Sequence, residues 1–189
     1  VRRFSYPVYT QLKGADLYVN KTTGKYNRTE FHEHPSEYSC KFLPYTSQTD
    51  ILINGVYWDK AVPRLFEKEN VKAEDFIIQT IADVTDDVNG SVPINLGDQS
   101  IEDPIYGVDR ITLEKTQPYL PNSIDIMAVG NLPNELPRDA SRYFGEQLIK
   151  FVFDDLLKGG SPIIDRATMT KDGALTEPYK YLEDYANYR

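Results

Sequence analysis

Two stretches of this chain carry groups able to do chemistry. The first is the apolar run Phe76-Ile77-Ile78-Gln79-Thr80-Ile81-Ala82-Asp83-Val84, which opens into Asp86, Asp87 and Asn89-Gly90. Carboxyl groups after such a run have three readings: a hard-cation cluster, a contact to the hydroxyls of a sugar or to the nicotinamide region of a cofactor, or a solvated loop. The spacing does not fit a calcium-binding EF-hand loop. The second stretch is residues 124–143, where a short apolar run stops at Gly130-Asn131-Leu132-Pro133 and Leu136-Pro137 follows. In open α/β sheets ligands sit at the loops leaving the carboxyl ends of strands, so this loop is a place for chemistry.

Other reactive groups are sparse. His32 and His34 are the only histidines. On a strand they would share a face, but a catalytic zinc needs three protein ligands and a supporting shell, so solvated loop histidines are the plainer reading. Cys40 is the lone cysteine, with no base placed beside it by sequence, and reads as an inert thiol. No Gly-x-Gly-x-x-Gly and no Walker loop occurs, so the chain lacks its own phosphate cradle. Fourteen tyrosines invite a sugar-stacking reading, but their scatter favours mixed packing and surface roles.

The elements that must position these groups follow an α/β rhythm. Residues 1–50 are polar and irregular, with a short strand expected over residues 15–19, a turn-rich connection around Gly24 and a helical turn over residues 37–43. The spacing predicts a strand over residues 50–58, its Ile51-Leu52-Ile53 run suited to burial on both faces of a parallel sheet. A short helix is expected over residues 62–69, a second strand over 76–84 and a third over 123–129. Residues 91–122 read as an excursion, with a strand near 110–114. A long helix over 138–158 carries an apolar stripe of Ala140, Phe144, Leu148, Phe151, Val152 and Leu156, and Gly159-Gly160 supply its exit. A turn at Asp172-Gly173 and a final helix over 178–187 complete the chain. The fold class is therefore α/β: a partial Rossmann-type, doubly wound, mostly parallel sheet with a long return helix and a C-terminal tail.

Composition narrows the function. The chain has 189 residues and a net charge of −8, with a pI of about 4.8. An acidic surface without a basic stripe argues against nucleic acid, and no apolar run spans a membrane. One cysteine fits a reducing cytoplasm. Sequons at Asn20, Asn27 and Asn89 read as chance, and a chain starting at Val1 reads as a processed product or a fragment.

One resemblance is specific. His34-Pro35, Glu37-Tyr38, Leu52-Ile53-Asn54-Gly55-Val56-Tyr57-Trp58 and Pro63-Arg64-Leu65 resemble the lysine-forming saccharopine dehydrogenases and the lysine–ketoglutarate reductase family. Ala82-Asp83-Val84-Thr85 with Asp87 and Gly90-Ser91 is similar to that family's acidic loop. Asn131-Leu132-Pro133, Leu136-Pro137, Ala140 and Phe144-Gly145 resemble its Asn/His-Leu-Pro segment and following helix. Ser161-Pro162-Ile163-Ile164, Gly173 and Tyr179-Lys180-Tyr181 resemble its tail. The similarity runs over most of residues 31–189.

The resemblance implies an alanine dehydrogenase-like architecture. Residues 1–138 would be the later part of a dinucleotide-binding domain, and residues 139–189 a return helix and tail packing toward a substrate domain. It implies interconversion of L-lysine plus 2-oxoglutarate and saccharopine through an imine, with NAD or NADP as cofactor. The glycine loop and the acid/base lysine and histidine would belong to an upstream domain of the same polypeptide, so no catalytic residue is assigned here. Cofactor contact falls to Tyr57, Asp83, Val84, Val129, Gly130, Asn131 and Leu132. Gly130 stands where family members often carry an acid. The rivals are a non-catalytic nucleotide-binding or regulatory module and a tyrosine-rich glycan-binding protein.

Overall fold

The computed structural model describes residues 6–187; residues 1–5 and 188–189, ends of the expected N-terminal and C-terminal segments, lie outside the described residues. Two compact units divide between Leu132 and Pro133.

The first unit opens with a helical turn, α1 (Gly14–Leu17), and a strand, β1 (Tyr18–Asn20). The strand expected at 15–19 is thus half helix. The tight connection that follows is held by Asn20, whose Oδ1 accepts from the Thr22 and Thr23 amides at 2.9 Å, with Gly24 at φ +67°. Helix α2 (Arg28–Glu33) starts where Asn27 Oδ1 accepts from the Glu30 amide. Two of the three sequon asparagines therefore do structural work. Residues 38–40 form a strand, β2 (Tyr38–Cys40), antiparallel to β1, not the expected helical turn. Tyr18 stacks on Phe31 at 4.5 Å and Tyr38 meets Phe31 edge-on at 5.2 Å. Much of the tyrosine richness here is core: Tyr18 and Tyr38 are buried.

The main sheet has five strands in the order β3-β4-β7-β5-β6. Strands β3 (Ile51–Asn54), β4 (Thr80–Asp83) and β7 (Ser123–Met127) are parallel, whereas β5 (Ile105–Asp109) and β6 (Lys115–Thr116) pair antiparallel. The expected strand at 110–114 is instead the hairpin turn between β5 and β6, with Leu113 at φ +62°. The expected helix at 62–69 does not form; a single 3-10 turn occupies Lys68–Lys72. Val62, Leu65 and Phe66 of that irregular segment enter the core, with Trp58 packed against it.

Side chains alternate across the ladder. Leu52, Ile81, Ile126, Ile124, Tyr106 and Val108 share one face through the paired register. That face belongs to the core, which also takes in Phe42, Val62, Leu65, Phe66, Val71, Phe76, Val92 and Ile94. The other face carries Ile51, Ile53, Thr80, Ala82, Met127 and Ile105. Ile51 and Ile53 are 64% and 72% exposed. The parallel direction was legible in the apolar run; burial on both faces was not, because β3 is an edge strand with one covered side.

The second unit holds α3 (Pro137–Leu148), a π-helical segment Ile149–Phe153 and α4 (Asp154–Leu157), one continuous helical run close to the expected 138–158. Gly159 (φ +90°) and Gly160 (φ +129°) end it. Helix α5 (Pro162–Ala167) follows, capped by Ser161, then the hairpin β8 (Thr170–Lys171) and β9 (Ala174–Leu175) around Asp172-Gly173, and α6 (Glu183–Ala186) after a 3-10 segment. The expected final helix is thus mostly 3-10. No side chain of α3 or α4 is buried, although the apolar stripe is present. Among the described residues, no helix is long and apolar enough to cross a membrane.

Face asymmetry has a direct test. Ile81→Ala should cost about 3 kcal/mol, within the 2–5 kcal/mol usual for emptying a packed aliphatic site. Ile53→Ala should cost less than about 0.5 kcal/mol in this chain. Urea unfolding of both variants checks the register: equal costs would contradict it.

Candidate functional site

Parallel pairing brings the carboxyl ends of β3 and β4 side by side, with Asn54 opposite Asp83. β7 lies on the other side of β4, with Met127 opposite Ala82. The segments leaving these three strands, residues 55–57, 84–87 and 128–132, form one rim. Of the residues expected from sequence to contact a cofactor, Tyr57, Val84, Val129, Gly130, Asn131 and Leu132 fall in these segments, whereas Asp83 is the last residue of β4.

Beneath the rim lies a buried polar network. Asp83 and Asn95 are fully buried and Asn54 is 1% exposed. The Asn54 amide nitrogen donates to Asp83 Oδ1 at 2.7 Å and to Ser91 Oγ at 2.8 Å, with Thr85 Oγ1 at 3.1 Å. The Thr85 hydroxyl donates to Asp83 Oδ1 at 2.8 Å. The Asn95 amide nitrogen donates to Asp83 Oδ2 at 2.8 Å. On the far side, Asn95 Oδ1 accepts from the Gly97 amide at 2.9 Å and the Tyr106 hydroxyl at 3.2 Å, while Tyr106 accepts from the Leu96 amide at 2.7 Å. No basic side chain is among these partners. Both Asp83 oxygens are engaged from within the protein.

The candidates therefore divide by exposure. Tyr57 is 75% and Val84 47% exposed. Gly130 and Asn131 are exposed and Leu132 half-buried. Val129 is buried, so only its backbone can face a ligand. The Gln99 amide donates to the Ala128 carbonyl at 2.7 Å and fixes the start of this loop.

Two carboxylates converge on Gly130. A Cβ added there would stand 3.1 Å from Asp86 Oδ2 and 3.3 Å from Asp98 Oδ2. Burial pushes the Asp86 carboxyl up from its ordinary range, and Asp98, Asp83 and Asp87 add to this while the Asn95 amide opposes it. Asp87 is also pushed up, by burial and then by Asp83. Asp86 adopts φ +52°, a left-handed conformation that asparagine tolerates well. Gly90 closes the acidic loop: a Cβ there would fall 2.5 Å from the Asp87 Cβ and 2.8 Å from its carbonyl oxygen. Arg64 ties this loop down, its Nε donating to the Gly90 carbonyl and its Nη2 to that of Asn89.

Asn54, Ser91, Asn95, Asp98 and Tyr106 escaped sequence reasoning as site residues. The signal was a polar residue ending each apolar run, Ile51-Leu52-Ile53-Asn54 and Val92-Pro93-Ile94-Asn95. His32 and His34 are exposed, on and just after α2. Among the described residues, no three His, Cys, Asp or Glu side chains are grouped to hold a metal ion.

A dinucleotide fits these residues in part. The rim offers an exposed aromatic ring, backbone groups at 129–132 and nearby carboxylates, which suit a polar, cationic ring system. The chain offers no glycine-rich turn for a pyrophosphate.

No family model matches the chain. Its homologues are alpha-aminoadipic semialdehyde synthases and saccharopine dehydrogenases. It is 29% identical over 197 residues to "Alpha-aminoadipic semialdehyde synthase, mitochondrial" of Mus musculus, covering 87% of this chain and 21% of that protein. It is 27% identical over 181 residues to "Alpha-aminoadipic semialdehyde synthase" of Arabidopsis thaliana, covering 88% and 16%. It is 28% identical over 128 residues to "Saccharopine dehydrogenase [NAD(+), L-lysine-forming]" of Candida albicans, covering 66% and 31%. The chain spans about a fifth of the length of the mammalian relatives it matches.

Two substitutions test the network. Asn54→Leu leaves Asp83 and Ser91 short of a donor and should cost about 3 kcal/mol in urea unfolding. Asp86→Asn should act the other way. The folded state holds the Asp86 proton more tightly than the unfolded chain, so ionisation opposes folding. That penalty is present at neutral pH and vanishes as pH falls through the raised value. The variant should melt higher than wild type at pH 7, and the gap should close below the ordinary carboxyl pKa of 3.8.

Proposed function

We propose that this chain supplies the nicotinamide-facing rim of an NAD(P)-dependent oxidoreductase interconverting L-lysine plus 2-oxoglutarate and saccharopine. The supporting observation is the meeting of three parallel strand ends, with Tyr57, Val84, Gly130 and Asn131 exposed above a rigid buried network, in a chain with homologues in lysine metabolism.

In this reading the bound cofactor supplies hydride chemistry to an imine formed from the lysine amine and the 2-oxo group. The chain's own residues bind and orient. The Tyr57 ring packs against the cofactor. Backbone N–H and C=O groups of residues 129–132 hold the carboxamide and select one ring face. Val84 excludes water from the edge of the rim. Asp83 acts through its position, holding the ends of β3 and β4 together. Asp86 and Asp98 set negative charge beside Gly130, where an iminium or ammonium group gains from it. The acid and base groups and the pyrophosphate cradle belong to an upstream domain of the same polypeptide. The apolar stripe of α3 and α4 packs toward that substrate domain. NAD and NADP both remain candidates, and a cytoplasmic setting suits the single cysteine. The absence of a glycine-rich turn within the chain favours a second reading, a nucleotide-binding or regulatory module without catalysis of its own.

Saturation-transfer NMR with NAD⁺ and NADP⁺ tests the rim. Transfer to the nicotinamide protons should exceed transfer to the adenine protons and should fall in Tyr57→Ala. Transfer dominated by adenine would overturn the assignment. The chain by itself should show no NADH or NADPH oxidation dependent on lysine and 2-oxoglutarate, and steady-state turnover would show that catalytic groups lie within it.

A further inference from the structure

A concavity lined by none of the candidate cofactor residues lies between the β1–β2 hairpin and residues 58–70. It is an open cleft of about 590 Å³ whose lining includes Lys21, Lys60, Arg64, Trp58, Cys40 and Glu67. That volume is in the range of small-molecule sites.

Its charge is opposite to that of the chain. Three cations face one acid in a protein with a net charge of −8. Lys60 is exposed and makes no hydrogen bond or ion pair. Lys21 is positioned, its ammonium donating to the Ser36 carbonyl at 2.8 Å, which leaves two N–H groups. Arg64 is the most constrained. Its guanidinium lies 5.8 Å from the Trp58 ring centroid, and two of its nitrogens are committed to the Gly90 and Asn89 carbonyls. Its pairing with Glu67 is long, 3.5 Å, and Glu67 is 61% exposed, so this acid neutralises little of the field. Its charged lining is therefore mostly cationic. Concave, partly apolar walls focus such a field beyond what scattered surface lysines produce.

We infer that this cleft is a binding site for a small oxyanion ligand, one presenting carboxylate or phosphate oxygens to Lys60, Lys21 and Arg64 over the Trp58 ring. The site does not depend on the lysine-metabolism reading, since it uses none of the rim residues. It does touch the rim mechanically, because Arg64 spans from the cleft to the acidic loop. An oxyanion bound at Arg64 stiffens residues 89–90 and, through Ser91, the Asp83 network.

The chain carries its own reporters. Trp58 is its only tryptophan and Cys40 its only cysteine, and both line this cleft. Citrate and pyrophosphate are titrated into the 189-residue chain against sodium chloride of matched ionic strength, following Trp58 emission and the rate of Cys40 modification by a maleimide. A saturable change in emission is expected, with a Kd below about 5 mM. Cys40 modification should slow over the same concentration range, and added salt should weaken both effects. Lys60→Gln should raise Kd about threefold or more, and Lys21→Gln with Lys60→Gln about tenfold. Lys60 has no partner, so its single variant should keep the wild-type melting temperature and serves alone if the double variant fails to fold. Response to citrate alone identifies an organic carboxylate, response to pyrophosphate alone a phosphate, and response to both a general oxyanion site. Emission that changes only as chloride changes it, binding unaltered in Lys60→Gln, or an emission change without Cys40 protection would each overturn the inference.

Discussion

The interaction on which the rest of the structure depends is the satisfaction of a buried carboxyl group by neutral donors. Asp83 ends the central parallel strand with no accessible surface and no basic partner. A buried carboxyl group is tolerated only when its oxygens are hydrogen-bonded. Here the donors come from three separate places in the chain: Asn54 at the end of the neighbouring strand, Thr85 two residues on, and Asn95 in the loop that returns toward β5. Each donor fixes a different backbone segment. The requirement thus becomes geometric, and the rim above it is rigid because the group below it admits few alternatives.

That rigidity matters because the unit has few regular elements to provide it. The core beside the sheet draws heavily on irregular segments, the bends and turns around Val62–Phe66 and Val92–Ile94. Loops are ordinarily the mobile part of a fold. These are held by specific contacts. Arg64 bonds the carbonyls of residues 89 and 90, the Leu65 amide donates to the Ser91 carbonyl, and the indole of Trp58 donates to the Val62 carbonyl at 2.9 Å. Gly90 permits the close approach that this weave needs, since any side chain would collide with Asp87. Side-chain hydrogen bonds here do what helix packing does in a complete doubly wound domain.

Apolar periodicity revealed the parallel strands and the long helical run, because buried β-structure and an amphipathic stripe leave direct marks on composition. The strand ends were legible for the same reason: Asp83 and Gly130 sit where apolar runs stop. What lay hidden was decided by distant partners. Tyr38–Cys40 is a strand because β1 pairs with it, and residues 62–67 form no helix while Val62, Leu65 and Phe66 enter the core. Ile51 and Ile53 look like core residues but lie on the open face of an edge strand. Asn54 and Asn95 look like turn formers, the usual role of asparagine after an apolar run. Their function as amide donors to a carboxyl 29 and 12 residues away is visible only once the ladder has formed.

Gly130 sits where two acidic side chains converge. A side chain at that residue would have to share space with the carboxylates of Asp86 and Asp98, both on loops that cross toward the end of β7. Negative charge at the rim therefore does not require an acidic residue at position 130. Asp86 and Asp98 bring it from two neighbouring loops, and a third carboxylate there would meet their repulsion. Burial, with a smaller contribution from the adjacent acids, raises the proton affinity of Asp86. A cationic ligand group arriving between them would relieve the same repulsion.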